Sequence, residues 1–195
     1  MNNQPFSLKV FVVVLKISAQ GRLLSSTYVG GSGEDGVNGA SIVENNNPNF
    51  LNYNYGDNQR GEIVLDDSGH VFVATSTRSA NFPVSNSFDL TYGGLQDGVV
   101  FRMDSNLTRL VWSGYLGGTA EDAVYSIFVH DDSSIYISGG TKSSDFPTTP
   151  NVIAPTSRGG MDGYICRIMK NGRFISRSTY IGTSAYDQVF FVRAN

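Results

Sequence analysis

The sequence predicts an all-β chain on three observations. Short runs rich in Val, Ile, Phe and Tyr alternate with turn residues, glycine is abundant at 22 of 195 residues, and one run-and-turn pattern returns about every 65 residues. With 40% hydrophobic and 16% charged residues, the chain can bury a core and is too apolar for a disordered tail. Its net charge of −3 argues against nucleic acid as a partner, because nucleic-acid binders cluster Lys and Arg to displace counterions.

In chain order, the first run is Val10 to Leu15, between Lys9 and Lys16. It is shorter than a membrane span, has no small-residue cleavage site after it, and reads as a strand. Ser26-Thr27-Tyr28-Val29-Gly30-Gly31 follows and returns 87 residues later as Ser113 to Gly118. Tyr115-Leu116-Gly117 then recurs as Tyr180-Ile181-Gly182, Asp97-Gly98 as Asp162-Gly163 and Asp122 as Asp187, all at 65, and Phe82-Pro83 as Phe146-Pro147 at 64. The longer first step implies about 22 inserted residues. The matched spacing of Gly56-Asp57 to Asp66 and Glu121-Asp122 to Asp131 confines them to a loop within 32–55.

Each unit holds four strand-like runs. In the middle unit these are Asp122 to His130, Ile135 to Ser138, Gly163 to Met169 and Phe174 to Ile181, with Lys170-Asn171-Gly172 an Asn-Gly hairpin turn before the last. Val71-Phe72-Val73 and Ile135-Tyr136-Ile137 are apolar at consecutive positions, as expected of a strand covered on both faces. The third runs alternate instead: Leu15-Lys16-Ile17, Phe101-Arg102-Met103 and Cys166-Arg167-Ile168. Cys166 stands where Leu15 and Phe101 stand and is expected to be a small buried hydrophobe. As the single cysteine it excludes an internal disulfide and a thiolate zinc cluster.

Four-stranded units stacked face to face make a β-propeller, and the eleven strand-like runs from Val10 to Val192 amount to fewer than three full blades. The expected architecture of residues 1–195 is a partial β-propeller of four-stranded antiparallel blades, with the remaining blades supplied by a parent polypeptide. The strings STYVGGSGED, EIVLDDSGHVFVATSTRSANFP and YGGLQDGVVFRM resemble the bacterial β-propeller repeat family, the SBBP or seven-bladed propeller repeat. A second copy, SGYLGGTAEDAVYSIFVHDDSSIYISGGTKSSDFPTTP, and a third beginning STYIGTSAYDQVFF carry the same resemblance. It implies an extracellular or cell-surface location, as in secreted Bacteroidetes proteins associated with gliding motility, and offers no catalytic residues. Phe11 departs from the pattern where Asp97 and Asp162 stand, as does Thr183 where a second glycine is expected.

In such a unit the first-to-second and third-to-fourth connections share one side and are tight here, whereas Thr77 to Gly94, Thr141 to Gly160 and the insertion lie on the other. Long ordered loops on a rigid scaffold are where binding usually sits. In the insertion, Phe50, Asn52, Tyr53, Asn54 and Tyr55 offer ring faces and amides suited to a carbohydrate, a peptide or a protein. The same residues equally suit a loop anchored by its aromatics, with asparagines in turn conformations.

Asp57, Asp66, Asp97, Asp122, Asp131, Asp162 and Asp187 are repeat positions, with Asp35 an alternative to Asp57 as the start of its unit. Nothing has calcium-loop spacing, and acids at strand ends accept hydrogen bonds from turn N–H groups, so these positions read as structural, with no metal and no cofactor. Lys16, Arg102 and Arg167, one per unit, read as their partners between blades. His70 and His130 do not recur, and no Ser or Cys lies in a nucleophile-elbow context, so no catalytic residue is assigned. The expected function is a non-catalytic binding or adhesion module acting through its long-loop face. A purely structural spacer is the alternative, and a polysaccharide hydrolase or lyase on the same scaffold a third reading.

Overall fold

The computed structural model describes residues 10–37 and 61–195, which form ten strands and no helix. β1 (Val12–Ile17) and β2 (Leu23–Val29) make a two-stranded first sheet. β3 (Glu62–Leu65), β4 (Val71–Thr77), β5 (Asp97–Met103) and β6 (Leu110–Leu116) make the second sheet. β7 (Asp122–Val129), β8 (Ser134–Thr141), β9 (Asp162–Met169) and β10 (Ile175–Ile181) make the third. Each strand pairs antiparallel with the next in its sheet, so both larger sheets are up-and-down meanders, and none of the sheets closes on itself.

The consecutive apolar positions do what two covered faces require. Val71, Val73, Val99, Phe101 and Met103 pack with Val14 and Val29 of the first sheet. Their alternates Phe72, Ala74 and Val100, with Trp112 and Leu116, pack on Ile135, Ile137, Tyr164, Cys166 and Ile168 of the third. Cys166 is fully buried there, and burial pushes its thiol up to about 12.

Four tight turns share one device, in which the fourth residue returns an N–H to the first residue's carbonyl from a left-handed backbone. They end at Gly21, Gly69, Leu107 and Gly172, with φ of 77°, 75°, 61° and 75°. In the Lys170-Asn171-Gly172 turn only Gly172 is left-handed, so it is not a two-residue Asn-Gly turn, which would need both. Ser133, at φ 68°, takes the fourth position in the β7–β8 turn.

Cross-strand register corrects one repeat position. Phe72 faces Arg102 as Tyr136 faces Arg167, a step of 64 in these first two strands, so the counterpart of Asp66 is His130 rather than Asp131. Asp66 Oδ1 accepts the N–H of Ser68 at 3.0 Å, and the His130 ring nitrogen Nδ1 likewise accepts that of Asp132 at 3.1 Å. Asp131 is left exposed in the turn.

Register also places the insertion. Asp35 bridges Thr77 as Asp122 faces Thr141, so Asp35 begins the second sheet's first strand, the chain leaves after Val37, and β3 resumes that strand at Glu62 opposite Ala74. In β7 the corresponding stretch is the irregularity between Val124 and Ser126, so the insertion enters the chain at the repeat position of a bulge. The eleventh run joins no ladder. Its Val189 and Val192 N–H groups reach Gly139 O and Ser126 Oγ, and Phe190 stacks on Tyr125 with ring centroids 5.2 Å apart.

Candidate binding face

The side of the sheets that carries the long connections is organised by repeated hydroxyl and carboxylate groups. Asp35 Oδ2 accepts the Gly31 N–H at 2.8 Å, Asp122 Oδ2 that of Gly118 at 2.8 Å and Asp187 Oδ2 that of Thr183 at 2.7 Å. Each closes the loop that enters a new sheet. Thr77 donates to Asp35 Oδ1, and Ser143 to Asp122 Oδ2 at 2.7 Å, which ties the end of the second strand to the start of the first. Asp57 lies outside the described residues. Thr183, which replaces a second glycine, keeps the backbone bond and adds its hydroxyl to Asp187 at 2.8 Å.

Asp97 and Asp162 do the same for the start of the third strand. Asp97 Oδ2 accepts the Gly93 N–H at 2.8 Å, and Asp162 Oδ2 accepts Arg158 N–H at 2.9 Å and Ser157 Oγ at 2.7 Å. Gly117 separates the carboxylates of Asp97 and Asp122 so closely that a Cβ there would lie 2.6 Å from Asp97 Oδ1 and 2.8 Å from Asp122 Oδ2. At Gly30 the corresponding neighbours are Phe11 and Asp35, so Phe11 takes the place of Asp97 in space as well as in sequence.

The Oδ1 atoms of Asp97, Asp122 and Asp162 are buried without a hydrogen-bond partner. Burial, reinforced by the neighbouring Asp122 carboxylate, pushes Asp97 up to about 7, and burial pushes Asp122 up to about 6. Among the described residues no three His, Cys, Asp or Glu side chains are grouped so as to hold a metal ion.

The long connections do not simply project. The Ser79 carbonyl accepts the Tyr115 hydroxyl at 2.8 Å while the Phe82 N–H donates to it at 3.1 Å, and Tyr180 repeats this with Ser143 O at 2.7 Å and Phe146 N at 3.0 Å. Beyond that pin, each loop runs back along its own outer strand. Ser85 and Ser113 exchange both backbone hydrogen bonds and Asp89 O accepts Tyr115 N–H; in the third sheet Thr149 N–H donates to Ser178 O, Ser178 N–H donates to Thr149 Oγ1 at 3.1 Å, and Ala154 O accepts Tyr180 N–H. These loops cover the open edges of β6 and β10. Leu90, Leu95 and Ile153 remain exposed on them.

On this side Arg78 bridges the second sheet to Glu121 of the third, while its contact with Glu34 and the Lys142–Glu121 pair lie within single sheets. Arg78 lies 4.0 Å from Glu34 and 3.7 Å from Glu121, and Lys142 pairs with Glu121 at 2.7 Å. On the opposite side Arg102 and Arg167 pair with Asp66 and Asp132, at 3.6 Å and 2.5 Å, within their own sheets rather than between them. Lys16 does cross between sheets, to the Ser105 carbonyl at 2.9 Å, and so does Lys170, to Asp66 at 3.3 Å. Burial works against the Asp66 carboxylate, but the His70 N–H and the Lys170 ammonium outweigh it and hold the group below the usual carboxylate range.

Sequence reasoning did not single out Glu62, Thr77, Ser79, Thr141, Ser143 or the two pinning tyrosines. Their signal was present as TSTRSANFP against GTKSSDFP, a recurrence of Thr-x-Ser three residues before Phe-Pro. Glu62 has no counterpart, because it joins the first strands of two sheets: its Oε2 accepts Ser126 Oγ at 2.6 Å and Ile127 N–H at 2.8 Å. The candidates Phe50, Asn52, Tyr53, Asn54 and Tyr55 lie outside the described residues. No protein-family model and no curated protein matches this chain.

Proposed function

We propose that the chain is a partial β-propeller module of an extracellular or cell-surface protein, non-catalytic, that binds a carbohydrate or a peptide through the side carrying its insertion. The carrying observation is where the insertion sits. Residues between Val37 and Gly61 are spliced into the first strand of the second sheet, yet Asp35 and Glu62 on either side keep their partners on β4. The pairing on β4 holds on both sides of the splice, and a long connection carried on a scaffold in this way is where recognition usually sits. Up-and-down four-stranded sheets stacked face to face, with the first strands linked through Glu62, support the propeller reading.

One observation favours the spacer alternative: the connections 78–96 and 142–161 spend much of their backbone on covering β6 and β10. Glycan and peptide arrays probed with the wild type, a Tyr53→Ala/Tyr55→Ala variant and a Leu95→Ser/Ile153→Ser variant separate the two. The binding reading expects a specific ligand whose retention drops at least tenfold in the tyrosine variant with folding unchanged. Retention unaltered in both variants refutes this side as the binding surface, and no retained ligand leaves the spacer.

A further inference from the structure

In the four tight turns that end on a left-handed residue, the position before the last is held by Gln20, Ser68, Asn106 and Asn171. Asn106 precedes Leu107, and Asn171 alone of the two asparagines precedes a glycine, Gly172. A side-chain amide of asparagine is lost when the backbone nitrogen of the next residue attacks its Cγ, and a following glycine, with no side chain, leaves that approach open.

The fold ties up both reacting groups. Gly172 N–H donates to Met169 O at 2.8 Å, and Asn171 Oδ1 accepts the Arg173 N–H at 3.0 Å. Asn171 is exposed but Gly172 is buried, and a Cβ on Gly172 would lie 2.3 Å from Trp112 Cδ2, so the turn has no slack against that ring. The second sheet fastens the turn further. Trp112 Nε1 donates to Lys170 O at 3.1 Å, while Lys170 Nζ lies 3.3 Å from Asp66 Oδ2 and 5.9 Å from the Phe72 ring centroid.

We propose that Asn171 is a modification site, a side-chain amide that deamidates to isoaspartate when the junction between the second and third sheets opens at this turn. Once freed from Met169, the Gly172 nitrogen gives its proton to solvent base and bonds to Asn171 Cγ; the Cγ–Nδ2 bond breaks and the side-chain nitrogen leaves as ammonia. Water then cleaves one of the two carbonyl C–N bonds of the cyclic imide, giving aspartate or isoaspartate, so the sum is water consumed and ammonia released. Isoaspartate routes the main chain through the side chain and lengthens the turn by a methylene. The Trp112 contact has no room for it, so this product does not remake the closed junction. The inference is independent of the proposed binding role.

Peptide mapping of the full chain, aged in mildly alkaline buffer with and without urea, tests this, with methylation by protein isoaspartate methyltransferase as the probe for isoaspartate. In urea, conversion is expected at Asn171 while Asn106, hindered by the Leu107 side chain, stays an amide over the same interval. Without urea, conversion at Asn171 is expected to be slower by at least about tenfold, because it waits on local opening. The isoaspartate-bearing chain, separated and returned to buffer, should show red-shifted emission from Trp112, the single tryptophan, and a lowered urea midpoint. Asn171→Asp adds the charge at unchanged chain length and keeps an acceptor for Arg173, so it should retain native emission. Absence of conversion in urea, equal rates with and without urea, or native emission and midpoint in the isoaspartate-bearing chain overturns the proposal. So does an Asn171→Asp variant as perturbed as that chain.

Discussion

Removing one oxygen from Tyr115 measures what holds a long connection in place. The hydroxyl donates to Ser79 O at 2.8 Å and accepts from Phe82 N–H at 3.1 Å, and the residue is 1% exposed; Phe82 N–H also donates to Ser79 O at 3.1 Å, so Tyr115→Phe removes two buried hydrogen bonds and leaves that carbonyl and N–H bonded only to each other, with little change in packing volume. Each buried hydrogen bond lost costs about 0.5–1.5 kcal/mol net, so a loss of about 1–3 kcal/mol in unfolding free energy is expected. Tyr180→Phe should cost the same, since it breaks the matching pair to Ser143 and Phe146. Tyr28→Phe is the internal control: it occupies the same repeat position but is 71% exposed, and it should cost less than about 0.5 kcal/mol. Urea denaturation followed by Trp112 emission gives the three values. Equal effects at all three positions, or less than about 0.5 kcal/mol at Tyr115 and Tyr180, would refute the pinning argument.

Two further predictions concern the turns and the buried acids. Ser133 is exposed and left-handed, and its counterpart in the second sheet is Gly69, so Ser133→Gly should stabilise the protein by about 0.5–1 kcal/mol, read as an increased urea midpoint at unchanged m-value. Asp97 and Asp122 ionise at about 7 and about 6 in the fold and near 3.8 when unfolded, so the native state binds protons more tightly. Their contribution is complete below pH 3.8 and is lost as pH rises through 6 and then 7. Stability should therefore rise from pH 8 to pH 5 by on the order of 1–3 kcal/mol, and Asp97→Asn should flatten the profile. Urea midpoints that fall over that interval in the wild type would contradict it.

Much of the fold was legible because the repeat acts on packing. Strand order follows from runs that recur at 64 or 65 residues, and the two covered faces follow from the consecutive apolar residues at Val71-Phe72-Val73. Side-chain periodicity carried no such information for the charged groups. Arg102 was expected to reach across to another sheet, but a cross-strand neighbour is nearer than a stacked one, and the Asp66 turn lies within its own sheet. The Asp131 position was misread for a related reason. A repeat step taken from the third and fourth strands does not hold across the first two, where one residue fewer puts His130 at the corner.

The long connections show the limit of reading function from loop length. Counting residues between strands makes 78–96 and 142–161 look like free recognition loops, yet an outer strand with open N–H and C=O groups needs a cover, and these segments supply it through Ser85, Asp89, Thr149 and Ala154. Such a cover leaves little sequence trace, because backbone pairing constrains side chains weakly. The insertion is a different case. β6 and β10 are each covered by the loop of their own sheet, and the second sheet's first strand keeps its pairing on either side of the splice at Asp35 and Glu62. The inserted residues are therefore not required for that pairing, and whether they act in recognition is what the Tyr53 and Tyr55 substitutions test.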